Sequence, residues 1–247
     1  TGAIEKMRLR EALHDILFTF ETDLNWYAKR VQAKEREDNS GILHQINSAR
    51  VAMLSPFAPH IAEEMWEKLG NVELVSKSSW PEYSKENVDV TAIQSEELLK
   101  STIEDIANIL KVTKITPKKI VLYVNSDEIK SKIYRKMLSI MVGGQNNMGV
   151  VMKELIADPQ TTDAKKIPDF VQKTIKDLHS ESEEIKVMKL KSTEFNEKEF
   201  LSSELVSIGR KEFGIDIQVY STSDEGIYDP KGKARHARPF KPAILIE

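Results

Sequence analysis

Between Asp229 and Pro242 the chain reads Asp-Pro-Lys-Gly-Lys-Ala-Arg-His-Ala-Arg-Pro-Phe-Lys-Pro. This places Lys231, Lys233, Arg235, Arg238 and Lys241 against the single acid Asp229, with Phe240 among them. Lysine and arginine neutralise backbone phosphates, and arginine and phenylalanine stack on unpaired bases. Proline and glycine hold a chain open, so this composition suits contact with RNA. A solvated connection ahead of a last strand has the same composition, and the residues by themselves leave both readings open.

The rest of the chain is poor in reactive constellations. Five histidines, His14, His44, His60, His179 and His236, are scattered singly. His60 and Glu63 share a helix face, yet a zinc site needs at least a third ligand, and nothing at metal-like spacing supplies one. The glycine cluster Gly143-Gly144-Gln145-Asn146-Asn147-Met148-Gly149 follows a helix and lacks the Lys-Ser or Lys-Thr of a phosphate loop, so it reads as an interhelical turn. No Ser, His and Asp set stands out, since such triads are recognised by geometry and not by order. The expectation is a binding protein with no catalytic and no metal-ligating residues of its own.

Composition sets the frame around that expectation. The chain has 247 residues, 40% of them hydrophobic and 30% charged, which fits a globular protein with a sizeable core. Its net charge of -3 does not advertise nucleic acid, so any such contact must be local: a basic tail on an acidic body. Zero cysteines exclude disulfides and thiol chemistry and fit the inside of a cell. No apolar run approaches the roughly 20 residues of a membrane helix. The start, Thr1-Gly2-Ala3-Ile4, lacks both an initiator Met and the segments of a signal peptide, and reads as an excised fragment.

The elements that must position the tail follow from periodicity. Apolar residues from Ile4 to Val31 recur at steps of three and four, predicting a helix of about seven turns. Asp38-Asn39-Ser40-Gly41 breaks it, and Leu43, Ile46, Ala49, Arg50 and Met53 mark a second, antiparallel helix. Ser55-Pro56 is expected to cap and open a third, with Phe57, Ile61, Met65, Trp66 and Leu69 on one face and Gly70 as its stop. After a long loop anchored by Trp80, a fourth helix spans 94 to 113 and ends at Thr116-Pro117. Beyond it, Ile120-Val121-Leu122-Tyr123-Val124 is a β-branched run suited to a covered strand. Helices are predicted at 127 to 141, 147 to 157, 167 to 178 and 197 to 213. Strands are predicted at 215 to 220 and 243 to 246, with a further strand allowed at 185 to 190. The fold class is mainly α in two domains: a helical bundle over residues 1–116 and a small α/β domain over residues 117–247.

Three stretches carry a resemblance. Leu54-Ser55-Pro56-Phe57-Ala58-Pro59-His60-Ile61-Ala62-Glu63-Glu64-Met65-Trp66 resembles the anticodon-binding helical domain shared by the Leu, Ile, Val and Met class I aminoacyl-tRNA synthetases. Arg8 to Leu13 with Asp23 to Arg30, and the ending Tyr228 to Ala237 with Lys241 to Ile244, are similar to the archaeal and eukaryotic type of leucyl-tRNA synthetase. That family attaches leucine to its tRNA using ATP, through a catalytic domain with His-Ile-Gly-His and Lys-Met-Ser-Lys-Ser signatures and a separate editing domain. None of these is found in the sequence. The resemblance therefore implies a carboxy-terminal, non-catalytic part that needs no cofactor itself and holds leucine tRNA by its body and long variable arm. It also implies a cytoplasmic setting, the rest of the same polypeptide as partner, and no DNA or membrane partner. Under it, Arg8, Arg10, Lys29 and Arg30 are expected along the tRNA body. Lys231, Lys233, Arg235 and Arg238 are expected on phosphates or bases, and Ile246 and Glu247 near the variable arm. The competing expectations are a helical protein-interaction scaffold and the same region of an Ile, Val or Met enzyme.

Overall fold

The computed structural model describes residues 2–33, 40–82, 84, 86, 88–191 and 195–247. By packing, the chain forms two compact units, Thr1–Val88 and Asp89–Glu247.

The first unit is helical. A short α1 (Gly2–Glu5) stops where Met7 takes a left-handed φ of 55°, so the expected long helix begins again as α2 (Leu9–His14). It runs on through a π-helical turn, Asp15–Thr19, into α3 (Phe20–Ala33). A π turn widens the ladder and leaves carbonyls to be satisfied elsewhere. Arg50 of α4 (Ser40–Leu54) satisfies two of them: Nε donates to Ile16 O at 3.1 Å and Nη2 to Leu17 O at 3.1 Å, while Nη1 reaches Glu21 at 2.7 Å. In the expected break, Asp38 and Asn39 lie outside the described residues, and Ser40 and Gly41 already belong to α4.

The third helix departs from expectation at its start. α5 (Pro59–Lys68) opens at Pro59 with Ala58 as its N-cap residue, because Ser55 turns its hydroxyl back to Ala52 O at 2.9 Å and leaves no cap at that position. Phe57 therefore precedes the helix, and Ile61 and Met65 are exposed. The core here is Val51, Ala52, Ala62 and Val75, with Trp66 and Leu69 against it. Gly70, at φ +88°, ends the element as predicted.

The second unit begins with α6 (Val90–Thr113), capped by Asp89, whose carboxylate accepts the Thr91 and Ala92 amides. It ends at Lys114 in the left-handed region, ahead of Thr116-Pro117. The sequence groups this helix with the bundle, but it packs with the C-terminal unit, against α10 (Glu183–Lys191) and α11 (Glu197–Phe213). The sheet has order β2-β1-β3. Central β1 (Ile120–Val124) runs parallel to β2 (Ile217–Ser221) and antiparallel to β3 (Ala243–Ile246), with Ile120 opposite Ile217 on one side and Ile246 on the other. All five β1 residues are buried, as a covered strand requires. α7 (Glu128–Val142), α8 (Met148–Ala157) and α9 (Pro168–Ser180) build a separate apolar core around Met137, Leu138, Met141, Leu155 and Val171. The Gly143 cluster is the turn between α7 and α8.

One strand allowed from the sequence is a helix. The alternation over 185 to 190 depends on counting Lys186 and Lys189 as outward residues. Lys186 is only 3% exposed and pairs with Glu183, and Lys189 pairs with Glu181 at 2.6 Å. Their methylene stems serve as apolar surface and restore a helical face for α10.

Candidate nucleic-acid interface

The basic tail is folded and is not the open chain that its composition predicts. The carboxylate of Asp229 accepts the amides of Lys233 (2.7 Å) and Ala234 (2.9 Å), closing the loop onto a single 3-10 turn at Ala234–His236. Two alanines then fasten it. Ala234 and Ala237, three residues apart, are buried against Val121, Tyr123 and Leu245 and cover one face of the sheet. With the small residues inward, Lys231, Lys233, Arg235 and His236 are left exposed. Tyr123 secures the start of the loop by donating its hydroxyl to Tyr228 O. Burial, with Asp229 and Glu247 nearby, pushes that phenol up to about 12, so it remains a donor.

The fold also brings in cations from elsewhere. Lys130 of α7 donates to Arg235 O at 3.2 Å. The His236 imidazole is held below its ordinary pKa by burial first, then by the fields of Arg235, Lys173, Lys233 and Lys130. Four cations from α7, α9 and the tail thus act on one ring. Such convergence favours an anion on the outer side, since each cation raises the potential felt by the others' ligand. Lys130 and Lys173 could not be found from sequence, because each sits in an ordinary amphipathic helix and only packing brings them to the tail. A further cation, Lys119, lies 3.7 Å from the centre of the Tyr228 ring.

Other expected site residues are placed differently. Arg238 points inward: its guanidinium is 2.8 Å from Asp177 of α9 and its side chain is 17% exposed, so it ties the tail to the α7–α9 core. Lys241 is similarly paired with Asp105 of α6 at 2.8 Å. Ile246 lies in β3 with 9% of its surface exposed. Glu247 accepts the Tyr228 hydroxyl at 2.7 Å, and its backbone continues the pairing with Lys119. In the first unit, Arg8 and Arg10 are exposed on α2 and its approach, with Arg8 2.9 Å from Glu11. Lys29 and Arg30 are half-buried on α3, with the Lys29 ammonium 5.9 Å from the centre of the Trp26 ring.

His60 is exposed, while Glu63 accepts the amides of Val75 (2.7 Å) and Ser76 (3.3 Å), which gives that carboxylate a loop-fastening role. Among the described residues no group of three or more His, Asp and Glu gathers as a metal site, and no helix is long and apolar enough to cross a membrane.

This architecture, a helical unit followed by a small α/β unit with a cationic loop, can be set beside known proteins. Residues 1–122 match the family model of the anticodon-binding domain of tRNA ligase. Along its whole length the chain is similar to leucine–tRNA ligases. It is 36% identical to that of Methanococcoides burtonii over 99% of this chain, 33% to that of Methanosarcina mazei and 32% to that of Pyrococcus horikoshii, each over 100%. The chain spans about a quarter of the length of the curated relatives it matches.

Proposed function

We propose that this chain is the tRNA-binding portion of a leucine–tRNA ligase. It grips leucine tRNA by its body and long variable arm while ATP-dependent aminoacylation is carried out by parts of the polypeptide outside these residues. The observation that carries this reading is the unbroken similarity to leucine–tRNA ligases across both units. The gathering of Lys130, Lys173, Lys233 and Arg235, whose fields all act on His236, supports the reading as a local source of positive charge for phosphates. A fastened loop suits this task better than an open tail, because its backbone has little conformational freedom left to lose on binding. In this reading ATP is used by the full-length enzyme, and this chain needs no cofactor of its own. The setting is cytoplasmic, with no DNA or membrane partner.

The test is a filter-binding titration with leucine tRNA and with a tRNA lacking the long variable arm. Tighter binding of leucine tRNA is expected. Equal or absent binding overturns the proposal and leaves a protein-interaction scaffold. Leucine-dependent exchange of pyrophosphate into ATP is expected to stay at the buffer blank for this chain alone, and clear turnover would contradict the division of labour.

A further inference from the structure

Three non-glycine residues among those described sit at positive φ, and Phe240, at 57°, is the aromatic one. Arg238 and Lys241 exchange backbone hydrogen bonds around it. Lys241 N donates to Arg238 O at 3.0 Å and Arg238 N to Lys241 O at 3.1 Å, so Pro239 and Phe240 form a tight reversal. Proline fixes its own φ in the negative range, and a positive φ at the next residue then makes a type II turn, a place that suits glycine. A side chain as large as phenylalanine is kept there only where its surroundings hold it.

What holds it comes from three helices. Tyr134 of α7 and Phe240 have ring centres 5.9 Å apart, and the Lys189 ammonium of α10 lies 5.6 Å from the Phe240 ring centre. Glu197, the first residue of α11, accepts the Phe240 amide at 3.1 Å. Phe195, just ahead of α11, adds a second ring at 5.8 Å. The ring that composition offers to an RNA base is therefore seated against the protein.

Helices that hold the turn also carry the cations of the candidate interface. On α7, Lys130 donates to Arg235 O at 3.2 Å, and Tyr134 follows it one helical turn later. On α9, Lys173 acts on His236, and Asp177, the partner of Arg238, follows it one turn later. Residues at that spacing share a helix face. Each of these helices thus meets the tail twice, with a cation at Arg235–His236 and an anchor at Arg238–Phe240.

We propose that Phe240 is a positioning residue: seated against α7, α10 and α11, it fixes the register of the tail along α7 and α9 and brings Lys233 and Arg235 to Lys130 and Lys173 as one composite anion site. The inference rests on the tRNA-binding reading above for its ligand and adds what assembles the site. Phe240 acts through the cations.

The test uses the whole chain and reads three quantities: leucine-tRNA affinity by filter binding, the His236 Cε1–H titration midpoint and the thermal midpoint. Phe240→Ala removes the ring and keeps the unfavourable backbone, whereas Phe240→Gly removes the ring and relieves the backbone. The Gly variant should therefore melt at a higher temperature than the Ala variant. Both should nonetheless lose affinity alike, by roughly tenfold, because both free the loop that binding must then order. In both, the His236 midpoint should move up as the loop draws away from Lys130 and Lys173. Phe240→Tyr keeps the ring and should restore affinity and His236 midpoint. Phe195→Ala removes one wall of the seat and should shift both readouts the same way by less, which keeps the proposal open to refutation if the Phe240 variants unfold.

Affinity that follows melting temperature from Ala to Gly to wild type, with the His236 midpoint unmoved, overturns the proposal and makes Phe240 a packing residue only. Unchanged affinity and His236 midpoint in folded Ala and Gly variants overturn it as well. A wild type that fails to bind leucine tRNA, with the His236 midpoint still rising in the variants, overturns the tRNA reading and leaves the positioning of the cations standing.

Discussion

The Arg235 guanidinium donates through Nε to Nε2 of the neighbouring His236 at 3.2 Å. A ring nitrogen that accepts carries no proton, so this contact selects the neutral imidazole with its hydrogen on Nδ1. Burial and four surrounding cations act in the same direction. The ring is therefore expected to titrate below the ordinary histidine value near 6.5. Replacing Lys233 and Arg235 together by Ala should move the midpoint up, as followed by the His236 Cε1–H resonance against pH. A midpoint at or above the ordinary value in the wild type would mean the cations are too far away to act as a cluster. Phosphate binding supplies the opposite field and raises the ring's pKa in the complex, so tRNA affinity should rise as pH falls toward the midpoint of the free ring.

The outward and inward cations of the loop should behave differently. If Lys130, Lys173, Lys233 and Arg235 each neutralise one phosphate of largely unpaired RNA, changing all four to Ala flattens the log–log salt dependence of binding by up to about 2.8, from roughly 0.7 per contact. Arg238→Ala should leave the slope nearly unchanged and lower the thermal midpoint instead, because it removes a mostly buried side chain and loosens the loop from α9. A salt series on the three proteins decides the matter. A flattened slope in Arg238→Ala with an intact midpoint would return that residue to the RNA surface.

Arg50 is the keystone of the first unit. Arg50→Met retains the stem but removes the donors to Ile16 O and Leu17 O. A loss of about 2–3 kcal/mol is expected for two carbonyls left without partners. The Glu21 pair adds little, since that carboxylate is about half exposed. Urea unfolding measures the loss, and a change under about 0.5 kcal/mol would show that water replaces the guanidinium at the π turn.

Glu197 makes stability depend on pH. Burial raises its carboxyl from 4.5 to about 7, against the pull of the Phe240 amide and the Lys189 ammonium. Between those values the folded chain holds a proton that the unfolded chain has released, so stability declines as pH rises through this window and levels off above about 7. Glu197→Gln should match the wild type near pH 5 and melt at a higher temperature near pH 8. Calorimetry at the two pH values tests this, and parallel curves would place the carboxyl in water.

Local pattern was enough for much of this protein. The β-branched run Ile120 to Val124 is the covered strand its composition predicts, helical periodicity located α4, α7, α8, α9 and α11 within a few residues, and the clustered lysines and arginines after Asp229 marked a local excess of positive charge. These features depend on neighbours in the chain, and a hydrophobic repeat or a local excess of charge survives reading in one dimension. What tertiary structure decided was direction. Ala234 and Ala237 face the sheet, which turns Lys233 and Arg235 outward. Asp177 draws Arg238 inward, and β3 buries Ile246. Lys130 and Lys173 join the loop from helices about 100 and 60 residues away in sequence, and buried lysine stems turn an apparent strand at 185 to 190 into α10. Composition reports which charges a segment owns. Only the packing of distant elements fixes which of them meet water, because each buried partner, whether carboxylate, carbonyl or apolar face, is supplied from elsewhere in the chain.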